Sequence, residues 1–137
     1  MPPTTTQIKQ LVSAARKAAG IAYAPYSKFQ VGSAILTKSG NIYTGCNVEN
    51  ASYGLCICAE RTAIFNAVAS GEKKLNVECV VVYTSTEKAT APCGACRQVI
   101  FEFGPKARVI STCRGNERID RPITELLPDA FGPEDLL

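Results

Sequence analysis

Val77-Glu78-Cys79-Val80-Val81-Val82-Tyr83-Thr84 is a short, almost continuous apolar run, the pattern of a strand buried on both faces of a sheet. Helical patterns flank it. Upstream, from Cys58, Ala59, Ala63, Ile64, Ala67 and Val68 fall at helical spacing, and the helix stops at Ser70-Gly71, where glycine can adopt a left-handed cap. Downstream, a second helix is expected from Cys93 or Gly94 to Phe103, closed by Gly104-Pro105. Ala107 to Cys113 then reads as a strand, Arg118 to Arg121 as a weaker fifth strand, and Thr124 to Leu127 as a last helical turn.

Toward the N-terminus, Val31 to Thr37 and Asn41 to Val48 are β-rich runs joined by Lys38-Ser39-Gly40, a link suited to a hairpin. Before them, residues 7 to 22 place Ile8, Leu11, Ala14, Ala15, Ala18 and Ile21 on one helical stripe, with Thr5 or Thr6 as cap and Pro25 beyond the end. The order α-β-β-α-β-α-β-β-α predicts a three-layer α/β/α sandwich around a five-stranded mixed sheet. Residues 1–137 read as one domain, with no internal repeat, linker or low-complexity tract.

Of the residues, 46% are hydrophobic and 20% charged, a globular balance. The net charge of +3 comes from basic residues scattered along the chain, which argues against a nucleic-acid groove. No stretch has the apolar length of a membrane span, and Met1 to Gln10 lacks the apolar core of a signal peptide, so a soluble, cytoplasmic protein is expected. Seven cysteines are then better explained by metal binding or burial than by disulfides. The absence of histidine removes Ser-His-Asp and Cys-His nucleophiles and every His-based metalloprotease motif.

Two short stretches carry chemistry: Cys58-Ala59-Glu60 and Pro92-Cys93-Gly94-Ala95-Cys96, each at the start of an expected helix. Cys93 and Cys96, three apart, share one face of a first turn. If the two helices lie side by side, Cys58 adds a third sulfur and leaves one tetrahedral position open, the mark of a catalytic zinc. Three thiolates would leave such a site near −1. Two helix N-termini, and Arg61 on the face of Cys58, can offset that charge. Glu60, two residues from a ligand, is placed close to the open position, where a carboxylate can shuttle protons between a zinc-bound water and a substrate.

Other readings stand beside this one. A lone C-x-x-C also belongs to redox pairs and structural zinc sites, and Cys56 with Cys58, Cys93 and Cys96 could close a four-sulfur site with no room for water. Arg61 could be a solvated helix residue, and Glu60 could merely favour the helix dipole. Cys46, Cys79 and Cys113 fall in strands and read as small buried hydrophobes.

Taken with Tyr23-Ala24-Pro25-Tyr26-Ser27, Phe29-Gln30-Val31-Gly32, Asn47-Val48-Glu49-Asn50, Cys58-Ala59-Glu60-Arg61-Thr62 and Pro92-Cys93-Gly94-Ala95-Cys96-Arg97-Gln98, the chain resembles the small homotetrameric zinc-dependent cytidine deaminases over nearly its whole length. The resemblance implies one zinc per subunit on Cys58, Cys93 and Cys96, Glu60 as proton shuttle, and Arg61 tempering the thiolates. It further implies ribose contacts from Asn47 and Glu49, substrate contacts from Ala59, and Phe29 against the pyrimidine ring. Ala51, Tyr53 and Phe131 become candidates for contacts across a subunit interface. The implied reaction is hydrolysis of cytidine and 2′-deoxycytidine to the uridine products and ammonia, in pyrimidine salvage. A pocket closed by neighbouring subunits would admit a free nucleoside and exclude a polynucleotide; no membrane partner is expected. A deaminase of the same superfamily acting on a modified nucleoside such as blasticidin S, or on a free base, is the nearest rival. A non-catalytic zinc module and a thiol redox protein are the others.

Overall fold

Thr4 opens the first helix, α1 (Thr5–Ala19): its hydroxyl accepts the Gln7 N–H at 3.1 Å while the Gln7 side chain accepts the Thr4 N–H at 2.9 Å. This capping box moves the helix upstream of the expected 7–22 and replaces Thr5 or Thr6 as the cap. Because the helix ends at Gly20, Ile21 falls off the buried stripe and is 79% exposed. The computed structural model describes residues 2–137.

The remaining elements follow the expected order: β1 (Val31–Thr37), β2 (Ile42–Cys46), α2 (Ala59–Ala69), β3 (Val77–Thr84), α3 (Gly94–Phe103), β4 (Arg108–Cys113), β5 (Ile119–Pro122) and α4 (Ile123–Leu126), with 3-10 turns at Tyr53–Leu55 and Pro133–Asp135. Boundaries shift by a residue or two, as hydrogen-bonded ends do. β2 stops before Asn47, whose side-chain amide turns to the backbone of residues 29–31. β4 starts after Ala107, whose N–H is taken by the Gly104 carbonyl in a turn. Gly71, at φ 85°, supplies the expected left-handed stop after α2.

The five strands form one mixed sheet in the order β2-β1-β3-β4-β5, with β3 and β4 parallel and every other pair antiparallel. Strand alternation divides the core. Ala34, Leu36, Cys79, Val81, Tyr83 and Ile110 pack under Leu11, Ala15 and Ala19 of α1. Ile35, Val80, Val82 and Val109 pack on the opposite face with Ile64, Ile100 and Ile123 from α2, α3 and α4. The result is the expected α/β/α sandwich, and it explains why Val77–Thr84 is apolar at nearly every position. The β3-α3-β4 crossover sets α3 beside α2 on one face, so the N-termini of both helices open toward the same end of the sheet.

Gly45 of β2 brings α2 close to the sheet. A Cβ there would lie 2.3 Å from the Ala63 nitrogen and 2.7 Å from the Ala59 carbonyl, so only glycine allows this approach. The Thr62 hydroxyl, donating to the Cys46 carbonyl at 2.7 Å, pins the same helix to the same strand.

Candidate active site

Cys58 and Cys93 are the N-cap residues of α2 and α3, both with extended backbone, and neither makes a side-chain capping bond. Their sulfurs are thereby left for other partners at the positive ends of two helices. Cys96, in the first turn of α3, is fully buried. The three Sγ atoms lie within 4.8 Å of one another, with Cys58 and Cys93 3.7 Å apart. Zn–S bonds of about 2.3 Å in tetrahedral geometry require sulfurs about 3.8 Å apart, so the trio fits zinc. With three sulfurs and no imidazole, the donor set is also soft enough to select that ion.

Charge within the trio is uneven. A hydrogen bond from the Cys96 thiol, reinforced by Arg61, brings Cys58 down to about 5, while the same shared proton and burial push Cys96 up. Arg61 donates from Nη2 to the Cys58 sulfur at 3.4 Å, the contact expected from its spacing. Its own pKa rises through that bond.

Glu60 is 4% exposed, and burial pushes its carboxyl up to about 7, with the neighbouring Cys58 charge adding to the effect. Among the described residues only Cys58, Cys93 and Cys96 form a group able to hold a metal. The four-sulfur alternative fails because the Cys56 Sγ is not among the sulfurs that lie within 4.8 Å of one another; it accepts the Asn50 N–H at 3.2 Å instead. Cys79 and Cys113 are buried as expected; Cys46 is only half-buried, because β2 is an edge strand.

A cavity of about 270 Å³ opens beside the sulfurs. Phe29, Asn47, Glu49, Cys58, Ala59, Glu60 and Cys93 all line it, so the site residues expected from four separate stretches converge. Val31, Ile57 and Val82 make apolar wall, and Cys56, Thr84, Thr90 and Ala91 complete it. The sequence reading assigns none of these seven to the cavity wall. Thr90 and Ala91 could have been suspected from their place just ahead of Pro92-Cys93; the strand residues carry no signal beyond their apolar or β-branched character.

Asn47 and Glu49 do face the cavity together, but both are already bonded within the chain. The Asn47 amide accepts from the Val31 N–H and donates to the Phe29 carbonyl, each at 2.8 Å. Glu49 accepts from the N–H groups of Tyr26 (3.0 Å) and Ser27 (3.1 Å) and from the Ser27 hydroxyl, which lowers its pKa. Ala51, Tyr53 and Phe131 do not line the cavity within one chain. Tyr53 and Phe131 are 73% and 58% exposed, and Tyr53 sits edge-on to Tyr26 at 6.0 Å.

A sheet carrying three convergent thiols and a buried carboxyl at the mouths of two helices defines a zinc hydrolase site of the deaminase class. The model of the cytidine and deoxycytidylate deaminase zinc-binding region matches residues 5–112, which include all three sulfurs. The chain belongs to this family.

Relatives agree across the whole domain. A cytidine deaminase of Sporosarcina psychrophila is 44% identical over 131 residues, covering 94% of each chain, and one of Mycobacterium tuberculosis is 45% identical over 124 residues, 89% of this chain and 87% of its own. Among solved structures, cytidine deaminase from Burkholderia pseudomallei superposes with a TM-score of 0.85 at 48% identity, covering 90% of this chain and 98% of its own. None of the helices among the described residues is long and apolar enough to cross a membrane.

Proposed function

We propose that this protein hydrolyses cytidine and 2′-deoxycytidine to uridine and 2′-deoxyuridine with release of ammonia, in pyrimidine salvage. The observation that carries the reading is a carboxyl group, Glu60, buried beside three sulfurs on the wall of a cavity of nucleoside dimensions. Cys58, Cys93 and Cys96 would hold zinc, whose chemistry when bound is to acidify a water molecule at its open coordination position. Glu60 takes one proton from the attacking water and delivers it to N3 of the ring, then takes the second from the hydroxyl now on C4 and passes it to the exocyclic nitrogen, which leaves as ammonia as the C4 carbonyl forms. A pKa of about 7 suits a group that must both accept and donate near neutrality. Arg61 draws charge from the Cys58 thiolate and so keeps the sulfurs from over-neutralising the ion.

Phe29 packs against the pyrimidine, Ala59 touches it, and Asn47 and Glu49 receive the ribose hydroxyls with the donor and acceptor capacity their internal bonds leave over. Val31 and Val82 keep water away from the ring. The working unit is a homotetramer of single-domain subunits with one zinc each. The exposed apolar side chains of Tyr53, Leu55 and Phe131 support that assembly, with Ala51, Tyr53 and Phe131 completing a neighbour's pocket. All seven cysteines are unpaired, which suits the reducing cytoplasm.

Ammonia release from cytidine, deoxycytidine, cytosine and blasticidin S, with and without prior chelation, tests the reading. Cytidine and deoxycytidine are turned over and chelation abolishes turnover; cytosine outrunning cytidine overturns the ribose assignment, and full activity after metal removal overturns the mechanism.

A further inference from the structure

We propose that Ser27 is a positioning residue that couples sugar recognition to base recognition. The inference rests on the nucleoside reading above and extends it to a residue outside the cavity wall.

The Ser27 hydroxyl donates to Glu49 Oε2 and accepts the Phe29 N–H at 3.0 Å. A single oxygen therefore links the carboxylate that faces the sugar to the backbone of the aromatic residue that faces the base. The Tyr26 and Ser27 N–H groups hold the other carboxylate oxygen, so three donors from residues 26–27 fix Glu49 where it lines the cavity. Phe29 is fixed from the other side as well, since its carbonyl accepts from the Asn47 amide.

Lys28, between the two linked residues, has φ 61°, a left-handed conformation unusual for a lysine. That turn lets the Phe29 N–H point back to the Ser27 oxygen. The chain accepts a strained residue there, at the rim of the cavity, where strain is retained when it sets a geometry. Ser27 is exposed and packs no core, so its hydrogen bonds are what it contributes.

Without the hydroxyl, Glu49 loses a bond to one oxygen and the Phe29 N–H loses its acceptor. A hydrogen bond to a charged group corresponds to about a ten- to hundredfold change in affinity. Ser27→Ala is therefore expected to raise KM for cytidine by about tenfold or more, with a smaller effect on kcat. The increase should shrink to less than about threefold for 2′,3′-dideoxycytidine, which lacks the hydroxyls that Glu49 would receive. Ser27→Thr, which keeps the hydroxyl, should restore most of the affinity.

Steady-state kinetics of the zinc-loaded wild type and both variants on the two nucleosides tests this. An unchanged KM in Ser27→Ala, an equal loss on both nucleosides, or a threonine variant as impaired as the alanine one overturns the coupling. A wild-type protein that releases no ammonia from cytidine overturns the nucleoside reading itself, and the coupling with it, so the two failures are told apart by the wild-type arm.

Discussion

Replacing Gly45 by alanine adds one methyl group at the contact that seats α2 on the sheet. That carbon would lie 2.3 Å from the Ala63 nitrogen, 2.5 Å from the Thr62 hydroxyl oxygen and 2.7 Å from the Ala59 carbonyl oxygen. Ordinary contact begins near 3.4 Å, so helix and strand must part by about 1 Å. Two of the three atoms are backbone, and the third is the Thr62 hydroxyl that ties α2 to Cys46, so no side-chain rotation relieves the clash without breaking that tie.

Ala59 immediately follows Cys58 and precedes Glu60, so a shift of the α2 N-terminus carries both a sulfur and the buried carboxyl with it. Overpacking of this kind costs about 1–3 kcal/mol, a fall of roughly 3–15 °C in Tm for a chain of this size. A displacement of about 1 Å at reacting groups costs on the order of a hundredfold in rate. Calorimetry and initial rates of ammonia release on Gly45→Ala measure both. A variant with wild-type kcat and a lowered Tm would mean that the edge strand β2 yields instead of α2, and would refute the role given to Gly45 in seating the site.

Glu60→Gln should keep about one zinc per chain while kcat falls by about 10²–10⁴-fold; loss of metal on equilibrium dialysis, or near-normal turnover, contradicts the proton-shuttle assignment. Cys56→Ser should retain zinc and activity because its sulfur bonds Asn50 rather than the trio, and a drop in metal content on elemental analysis would show otherwise. Glu72 gathers the side chains of Ser39, Asn41 and Tyr43, which bring its carboxyl down to about 2 from an ordinary 4.5. A depressed carboxyl stabilises the fold above its unfolded value and loses that contribution as pH falls through the folded one. Chemical denaturation should thus find the wild type more stable than Glu72→Gln at pH 7, with the gap closing as pH falls from about 4.5 toward 2. A gap that stays constant over that range rules out the ionised network.

Much of this architecture is legible in the sequence because its signals are local. The apolar run at 77–84, the hairpin link at 38–40 and the cysteines at two helix starts each follow from spacing within a few residues. The misplaced ends of α1 and β2 arise where a side chain competes with periodicity: Thr4 and Gln7 draw the helix upstream, and Asn47 leaves the strand to hold the 29–31 backbone.

The donor set, the absence of histidine and the carboxyl two residues from a cysteine are properties of composition and order alone, and they determine the chemistry available to this protein. Only the tertiary structure decided that Cys56 stands apart from the other three sulfurs, that Glu60 is buried enough to titrate near 7, and that Asn47 and Glu49 hold Phe29 and the 26–27 backbone as well as facing the cavity. The physical reason is range. Residue type and spacing fix what a side chain can do, whereas burial, shared hydrogen bonds and the distance between sulfurs 35 residues apart exist only once the sheet has brought two helix ends together.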